Sequence, residues 1–402
     1  MSEQPTDHGE TVAGAETRAR NVLAAGGYDL GVGIKGRVAD VEAAPGLFLI
    51  IGSHVNRDRE WRSPPRGRGE SPQPVVPPLI GAWPLEPSME IELALDWTPN
   101  TNHTGIYVAQ AEGYYEEAGV DVSVRSPAVD DYETTPAKQV ATGEATIAIG
   151  PSESAISYHT HPEYPSLTAV AAVCQTDTSA IAALADGDID RPADLDGRTY
   201  ASYDARFEDH IVEQLVRNDG GEGDIEVVTP PKLGIWETLV DGEADATWVF
   251  VPWEGLLAER DGVELAPFYL DEYDVPYGYT PVMLAAPGTI EAEPDRLSAF
   301  LKATGRGYRF AAERPETAAD LLAETADGPD LLDDESFLRE SQRRLADHYL
   351  DADGAWGQMA HDRWASFVEW LFEEDILTTV DGEPIPSDEL DAAALYTNEL
   401  LP

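Results

Sequence analysis

The stretch that decides the fold is Asp96-Trp97-Thr98-Pro99-Asn100-Thr101-Asn102-His103-Thr104-Gly105. It follows the alternating strand pattern of residues 90–95 and precedes a helix predicted from about Thr104 to Ala118. A loop at the carboxyl end of a strand is where α/β proteins place their ligands. The stretch therefore predicts both an α/β fold and a candidate site in a cleft.

The side chains of this stretch suit a small heteroaromatic ligand. Trp97 offers a flat apolar face, and Asp96, Asn100, Asn102 and His103 offer hydrogen-bond donors and acceptors. A ring that carries an exocyclic amine needs this mixture of a stacking surface, an acceptor and a donor. The alternative is that the Asn and Asp side chains only cap the following helix, and the residues alone leave both interpretations open.

From residue 89 onward the chain alternates short strands with helices, which predicts an α/β protein with mostly parallel sheets. One set of strand–helix units is followed by a crossover and by a second similar set. Four helices are then predicted, at about 294–313, 315–325, 334–349 and 359–374. This is the order of a two-lobed binding protein with a helical C-terminus, whose site lies in the cleft between the lobes.

Further candidate site residues follow other predicted strands. They are Glu153, Tyr203, Trp253, Glu254 and Tyr279. Each has a structural alternative, because a carboxylate at a helix start is stabilised by the helix dipole and aromatic side chains often pack in a core. The same holds for the aromatic residues near them, Trp248 and Tyr277.

The charge of the chain is strongly negative, with 76 Asp and Glu against 26 Lys and Arg and a formal net charge of −50. Such a balance repels nucleic acid and anionic membranes, so we expect neither as a partner. Only four of the basic residues are lysine. Many carboxylates with few lysines indicate a surface adapted to molar salt, where the Debye length falls to about 3 Å.

The residues give little sign of metal or disulfide chemistry. Cys174 is the single cysteine, which excludes an internal disulfide or a cysteine cluster. His159 and His161 are two apart without a third ligand in sequence. We therefore expect no metal and no cofactor. Residues 1–5 lack the features of a secretory signal, so we expect a cytoplasmic chain as written and a cell-surface one if the start is misassigned.

Residues 1–88 form a different part of the chain. They carry 9 basic and 11 acidic residues, whereas residues 89–402 carry 17 and 65. Residues 63–88 are rich in Pro and Gly and are predicted to be a linker. The segments Glu10–Ala15, Tyr28–Gly33 and Pro45–Ile50 resemble part of an inosine/xanthosine triphosphatase. We expect residues 1–62 to be a truncated, partial or poorly ordered fragment without activity.

Residues 89–402 resemble the binding proteins for thiamine pyrimidine precursors, which belong to ABC importers. The resemblance is carried by five blocks: Leu95–Ala109, Gly113–Val122, Trp248–Gly255, Tyr279–Val282 and Tyr396–Pro402. It implies a type 2 periplasmic-binding-protein fold with two hinge strands. Lobe I would comprise residues 89–177 and 279–402, and lobe II residues 178–278.

The resemblance also implies a function. The ligand would be formylaminopyrimidine or hydroxymethylpyrimidine, held without chemistry by a monomer that serves an ABC permease or a salvage route. The cleft positions implied most directly are Trp97, Asn100, His103, Glu153, Tyr203 and Trp253. The alternative is the related thiamine pyrimidine synthases, which use a His, a pyridoxal-phosphate-bearing Lys and a cysteine-rich motif. The segment after Ile149, Gly150-Pro151-Ser152-Glu153-Ser154, has neither Lys nor His.

The charge leads to a first prediction. Lowering the salt should unfold the protein, because unscreened repulsion among 65 acidic residues in residues 89–402 opposes the compact state. Circular dichroism during dialysis from molar KCl into dilute buffer measures this, with molar sucrose as a control that adds no ions. A helical signal that persists in dilute buffer would contradict the salt dependence.

Overall fold

The computed structural model describes residues 89–130, 132–231, 234–380 and 382–402. These residues belong to one compact unit. The expected triphosphatase-like fragment, residues 1–62, and the expected linker, residues 63–88, lie outside the described residues. In the part of the chain that is described, no helix is long and apolar enough to cross a membrane.

The described residues contain ten strands and twelve α-helices, joined by loops and by short 3-10 and π turns. The strands are β1 (Met89–Ala94), β2 (Val120–Arg125), β3 (Ile147–Gly150), β4 (Thr168–Ala172), β5 (Ser179–Leu184), β6 (Thr199–Ala201), β7 (Glu226–Val228), β8 (Ala246–Phe250), β9 (Leu265–Phe268) and β10 (Val282–Ala285). The helices are α1 (Thr104–Ala111), α2 (Tyr114–Glu117), α3 (Pro136–Thr142), α4 (Ser152–His159), α5 (Glu208–Asn218), α6 (Glu237–Asp241), α7 (Leu256–Arg260), α8 (Pro287–Ala292), α9 (Pro294–Glu313), α10 (Pro315–Thr325), α11 (Glu335–Leu345) and α12 (His361–Glu373).

The strands form two five-stranded sheets with the same topology. The first has the order β2-β1-β3-β10-β4 and the second the order β7-β6-β8-β5-β9. In each sheet four strands run in one direction, and the fourth in the order is antiparallel to its two neighbours. That fourth strand is the one that enters the sheet directly after the chain has crossed from the other sheet.

The expectation of mostly parallel sheets fits the direction of four strands in each sheet. The exceptions are β5 and β10, which arrive by crossovers instead of by strand–helix units and so make two antiparallel pairings each. The crossovers at the expected hinges, residues 173–178 and 269–281, are connecting segments outside the two sheets, and the second contains one turn of 3-10 helix at Leu270–Tyr273.

Two local expectations also change. The helix expected from Thr104 to Ala118 divides into α1 and α2, because Gly113 takes a left-handed conformation with φ of 71°. Strands β9 and β10 were not predicted, since their short apolar runs carry no helix or strand period that separates them from loops.

Helices α1 and α9 cross with almost no space between their backbones. A Cβ atom on Gly307 would lie 1.9 Å from the carbonyl oxygen of Gly105, and one on Gly105 would lie 2.3 Å from the ring of Tyr308. The hydroxyl of the buried Tyr308 then donates to the carbonyl of Asn102 at 2.8 Å. The crossing therefore places the long C-terminal helix directly behind the loop that precedes α1.

The close crossing leads to a second prediction. Gly307→Ala should lower the free energy of unfolding by about 3 kcal/mol, because a methyl group overpacks a contact between backbones. Gly288→Ala in α8 is the matched control, because its Cβ atom would have no neighbour within 4 Å. Urea unfolding in molar salt measures both variants. Equal stabilities of the two variants would show that the helices separate at little cost.

Candidate ligand-binding site

The loop after β1 is fixed by its own side chains. Residues Thr101–His103 form one turn of 3-10 helix, and Asn100 caps it by accepting from the backbone N–H of Asn102 at 2.8 Å. Nδ1 of His103 accepts in return from the backbone N–H of Asn100 at 3.2 Å. This reciprocal pair is a capping box in which His takes the place of the more common Glu or Gln.

His103 also orients Asp96. The imidazole is fully buried, and its Nε2 lies 2.8 Å from Oδ1 of Asp96. Because Nδ1 accepts from Asn100, the ring proton is assigned to Nε2 and donates to the carboxylate. His103 therefore holds Asp96 from behind while the rest of that carboxyl group faces the cavity.

The loop is tied to the C-terminal helices by buried hydrogen bonds. The hydroxyl of Thr101 lies 2.7 Å from that of Ser341, and the hydroxyl of Thr104 donates to Gln342 at 2.6 Å. The hydroxyl of Tyr349 donates to the carbonyl of Thr101 at 2.6 Å. Buried polar groups without partners cost about 1–3 kcal/mol each, so this network selects one loop conformation.

A cavity of about 280 Å³ opens between the carboxyl ends of the two sheets. Both halves of the fold contribute to its wall. The lining residues are Asp96, Trp97, Asn100, Asn102, Pro127, Tyr132, Thr134, Thr135, Pro136, Ala137, Ile149, Gly150, Pro151, Glu153, Ser154, Tyr203, Asp204, Ala205, Glu208, Trp248, Phe250, Trp253, Glu254, Tyr277 and Thr280. Five of them are Asp or Glu, and none of these described lining residues is Lys or Arg.

Glu153 is the buried acid on the side of the first sheet. It lies in the first turn of α4 and accepts a hydrogen bond from the hydroxyl of Tyr277. Burial raises its pKa to about 7, against the lowering effect of the Tyr277 hydrogen bond. Near neutral pH the group therefore exists in both forms, so it can donate to or accept from a ligand.

Glu254 is its counterpart on the side of the second sheet. It lies in the π turn that follows β8, and its Oε2 accepts from the backbone N–H of Phe250 at 3.0 Å. Burial raises its pKa to about 7, the backbone hydrogen bonds oppose this, and the negative charge of Asp96 adds to it. Asp96 and Glu254 line the same cavity.

Glu208 lines the cavity and also supports its wall. Its carboxyl group accepts from the hydroxyl of Tyr200 at 2.6 Å and from the backbone N–H groups of Tyr203 at 3.0 Å and Ala205 at 3.2 Å. Burial raises its pKa, and these hydrogen bonds lower it. The group holds the loop between β6 and α5, which carries Tyr203 into the cavity.

Aromatic rings form the apolar part of the wall. The ring of Trp97 lies 5.0 Å from that of Tyr132 and 5.8 Å from that of Tyr203, centroid to centroid. Trp248 and Tyr277 form a second pair at 5.3 Å. Because Trp97 follows the first sheet and Tyr203 the second, their edge-to-face contact spans the cleft.

Eight of the ten expected site residues line the cavity, and two do not. The eight are Asp96, Trp97, Asn100, Asn102, Glu153, Tyr203, Trp253 and Glu254. His103 lies behind Asp96. Tyr279 is buried outside the lining, where its hydroxyl accepts from the backbone N–H of Ala360 at 2.9 Å and its ring lies 4.1 Å from the guanidinium of Arg363. Its position supports the second crossover.

Several lining residues escaped the sequence analysis. Tyr132 and Glu208 lie outside the strand-end segments, and no pattern in the sequence indicates that they reach the cleft. Trp248 and Tyr277 were noted as aromatic, with a core role as the alternative.

In the described part of the chain, no group of three or more His, Cys, Asp or Glu is arranged to hold a metal ion. Cys174 is buried, which raises the pKa of its thiol.

The raised pKa of Glu153 leads to a third prediction. Between about pH 4.5 and 7 the folded protein holds a proton on Glu153 that the unfolded chain releases, so the free energy of unfolding falls as pH rises through that window. Glu153→Gln should reduce this fall by about 3 kcal/mol, since each pKa unit corresponds to about 1.4 kcal/mol.

Urea unfolding of the wild type and the variant from pH 4.5 to 8 measures the difference. Glu116→Gln, at an exposed position of α2, is the matched control. An unchanged slope against pH in Glu153→Gln would refute the raised pKa.

Comparison with known proteins places this fold and cavity among binding proteins and thiamine-related proteins. Over 288 residues the chain is 26% identical to a formylaminopyrimidine-binding protein of Halalkalibacterium halodurans, covering 71% of this chain and 86% of that protein. It is 22% identical over 237 residues to a 4-amino-5-hydroxymethyl-2-methylpyrimidine phosphate synthase of Legionella pneumophila, covering 58% and 73%.

A solved structure shows the same architecture. The alkanesulfonate-binding protein SsuA from Xanthomonas axonopodis pv. citri, with bound MOPS, superposes with a TM-score of 0.57 at 11% identity, covering 77% of this chain and 98% of that one. The expected periplasmic-binding-protein fold is thereby confirmed. The NMT1/THI5-like family model matches residues 100–318, more than half of the chain. The chain belongs to the NMT1/THI5-like family.

Proposed function

We propose that the chain binds an unphosphorylated aminopyrimidine, formylaminopyrimidine or hydroxymethylpyrimidine, in the cavity between the two sheets. The observation that carries this proposal is the lining itself: aromatic faces together with five carboxyl groups and, among the described lining residues, no cation. The likeness to a formylaminopyrimidine-binding protein supports the same ligand class.

The chemistry of an aminopyrimidine fits acids of this kind. Its exocyclic amine donates hydrogen bonds and its adjacent ring nitrogen accepts one, so a single carboxylic acid can satisfy both atoms if it carries a proton. Glu153 and Glu254, with pKa values of about 7, are such groups. Trp97 offers a half-buried indole face against which the ring can stack.

The same lining disfavours anionic ligands, although the fold resembles that of an alkanesulfonate-binding protein. A sulfonate or phosphate group entering beside Asp96, Glu153 and Glu254 would meet negative charge or buried acids without a described Lys or Arg to offset it. The fold is therefore a guide to the architecture, and the side chains of the cleft are the guide to the ligand.

A synthase is the second candidate, because one relative bears that name. What supports binding without chemistry is the wall of the cavity near β3, where Gly150, Pro151, Glu153 and Ser154 face the space. None of these four residues has the amine of Lys or the imidazole of His that a thiamine pyrimidine synthase would use. An enzyme would show a pyridoxal absorbance band and a loss of mass at a His residue during turnover.

The proposal extends to the organisation of the chain. Strands β1–β4 and β10 form one sheet and β5–β9 the other, which supports lobe I at residues 89–177 and 279–402 and lobe II at 178–278. A monomer that delivers its ligand to an ABC permease is the partner arrangement that we propose. The SsuA-like neighbours support this role.

Calorimetry in molar KCl tests the ligand class. Hydroxymethylpyrimidine and formylaminopyrimidine should bind, whereas hydroxymethylpyrimidine phosphate and an alkanesulfonate should bind at least 100-fold more weakly, about 3 kcal/mol, because of the anionic lining. Heat from the sulfonate but not from either pyrimidine would reject the proposal.

Trp97→Ala should weaken the binding of hydroxymethylpyrimidine by about 1–3 kcal/mol if the ring stacks on the indole. Tyr114→Ala is the control, because Tyr114 stacks under Arg306 at 3.8 Å and does not line the cavity. Titration calorimetry of both variants decides the role. Equal losses of affinity would point to a general effect on stability.

A further inference from the structure

We infer that Arg206 is a latch that holds the two lobes together over the cavity and so sets how long a ligand stays bound. Arg206 follows Tyr203, Asp204 and Ala205, the three lining residues in the loop between β6 and α5. Only the identity of the ligand rests on the proposed function, because the latch is defined by contacts within the chain.

The contacts of Arg206 cross from the second sheet's half of the fold to the first. One guanidinium nitrogen donates to the carbonyl of Ser157 at 2.9 Å and to the hydroxyl of Thr160 at 3.0 Å. The other donates to the carbonyl of Thr378. The side chain is partly buried, and its guanidinium lies 4.9 Å from the centre of the Phe207 ring. One residue thus joins three separate segments.

Helix α4 connects this latch to the cavity. Its first turn carries Glu153 and Ser154, which line the cavity, while its last turn supplies the carbonyl of Ser157 to Arg206. A cation at the C-terminal end of a helix is favoured by the helix dipole. The same helix therefore places Glu153 in the cavity wall at one end and accepts the hydrogen bond from Arg206 at the other.

The loop that carries Arg206 is itself rigid. The carboxyl group of Glu208 accepts from the backbone N–H groups of Tyr203 and Ala205. The hydroxyl of Ser202 accepts from the backbone N–H of Asp204 at 3.0 Å. Asp204 adopts a left-handed conformation with φ of 64°. Because the loop moves as one piece, release of Arg206 also withdraws Tyr203 from Trp97 across the cleft.

The latch differs in kind from the contacts on the other side of the fold. There Arg344 pairs with Glu259 at 2.9 Å, and Arg260 pairs with Asp334 at 2.9 Å. Those partners are exposed carboxylates, whose attraction falls as salt rises. The acceptors described for Arg206 are neutral carbonyl and hydroxyl oxygens, so its contribution should persist in molar salt.

Stopped-flow release of hydroxymethylpyrimidine, followed by Trp fluorescence, tests the latch. Arg206→Gln should speed dissociation about tenfold with little change in the association rate, since loss of a closed-state contact acts mainly on release. Arg206→Lys should restore part of the slow release. The faster dissociation caused by Arg206→Gln should be the same in 0.5 and 3 M KCl. Arg344→Gln should speed dissociation less, and that increase should vanish at the higher salt.

A second measurement needs no ligand, so failure of the proposed function is distinguishable from failure of the latch. Spin labels at Lys302→Cys in α9 and Val240→Cys in α6, both exposed, report the distance between the lobes, and the buried Cys174 escapes labelling. Arg206→Gln should shift the distance distribution toward longer values. Distributions identical to wild type, or dissociation unchanged in Arg206→Gln, would overturn the latch.

Discussion

The hydrogen bonds of His103 are the constraint on which the site depends. One buried, neutral imidazole accepts from the backbone of Asn100 and donates to the carboxylate of Asp96, so a single ring fixes both the loop and its acid. The loop in turn is held from behind by Thr101 and Thr104 against the C-terminal helices. Without a ring that has one donor and one acceptor nitrogen, neither the capping box nor the orientation of Asp96 would form.

The carboxyl groups of this acidic chain lie in two different environments, the exposed surface and the cavity. Those on the surface keep their charge and interact with water and ions, and many of the ion pairs they form are half exposed. Those in the cavity lie among aromatic rings, where burial raises the pKa of Glu153 and of Glu254 to about 7. The net charge of −50 therefore says little about the ligand.

The sequence predicted the fold class and the Asp96–Gly105 loop because period and composition are local properties. Eight of the ten residues expected to bind the ligand line the cavity, because most of them follow strands. His103 and Tyr279 lie outside the lining, because polar and aromatic side chains look alike in sequence whether they face a cavity or support the residue that does. The sequence missed Tyr132 and Glu208, because their place depends on how loops fold back over the cleft. Strands β9 and β10 escaped because their short apolar runs carry no period that separates them from loops.

The hydrogen bonds behind the Asp96–Gly105 loop reach residues that lie outside the region matched by the family model. The matched family region ends at residue 318. Yet Ser341, Gln342 and Tyr349, which hold Thr101 and Thr104, all lie beyond it. A fragment trimmed to residues 100–318 would lose Asp96–Pro99 at one end and the residues that hold Thr101 and Thr104 at the other. In this chain, the region that identifies the family is therefore smaller than the region that builds the Asp96–Gly105 loop and holds it in place.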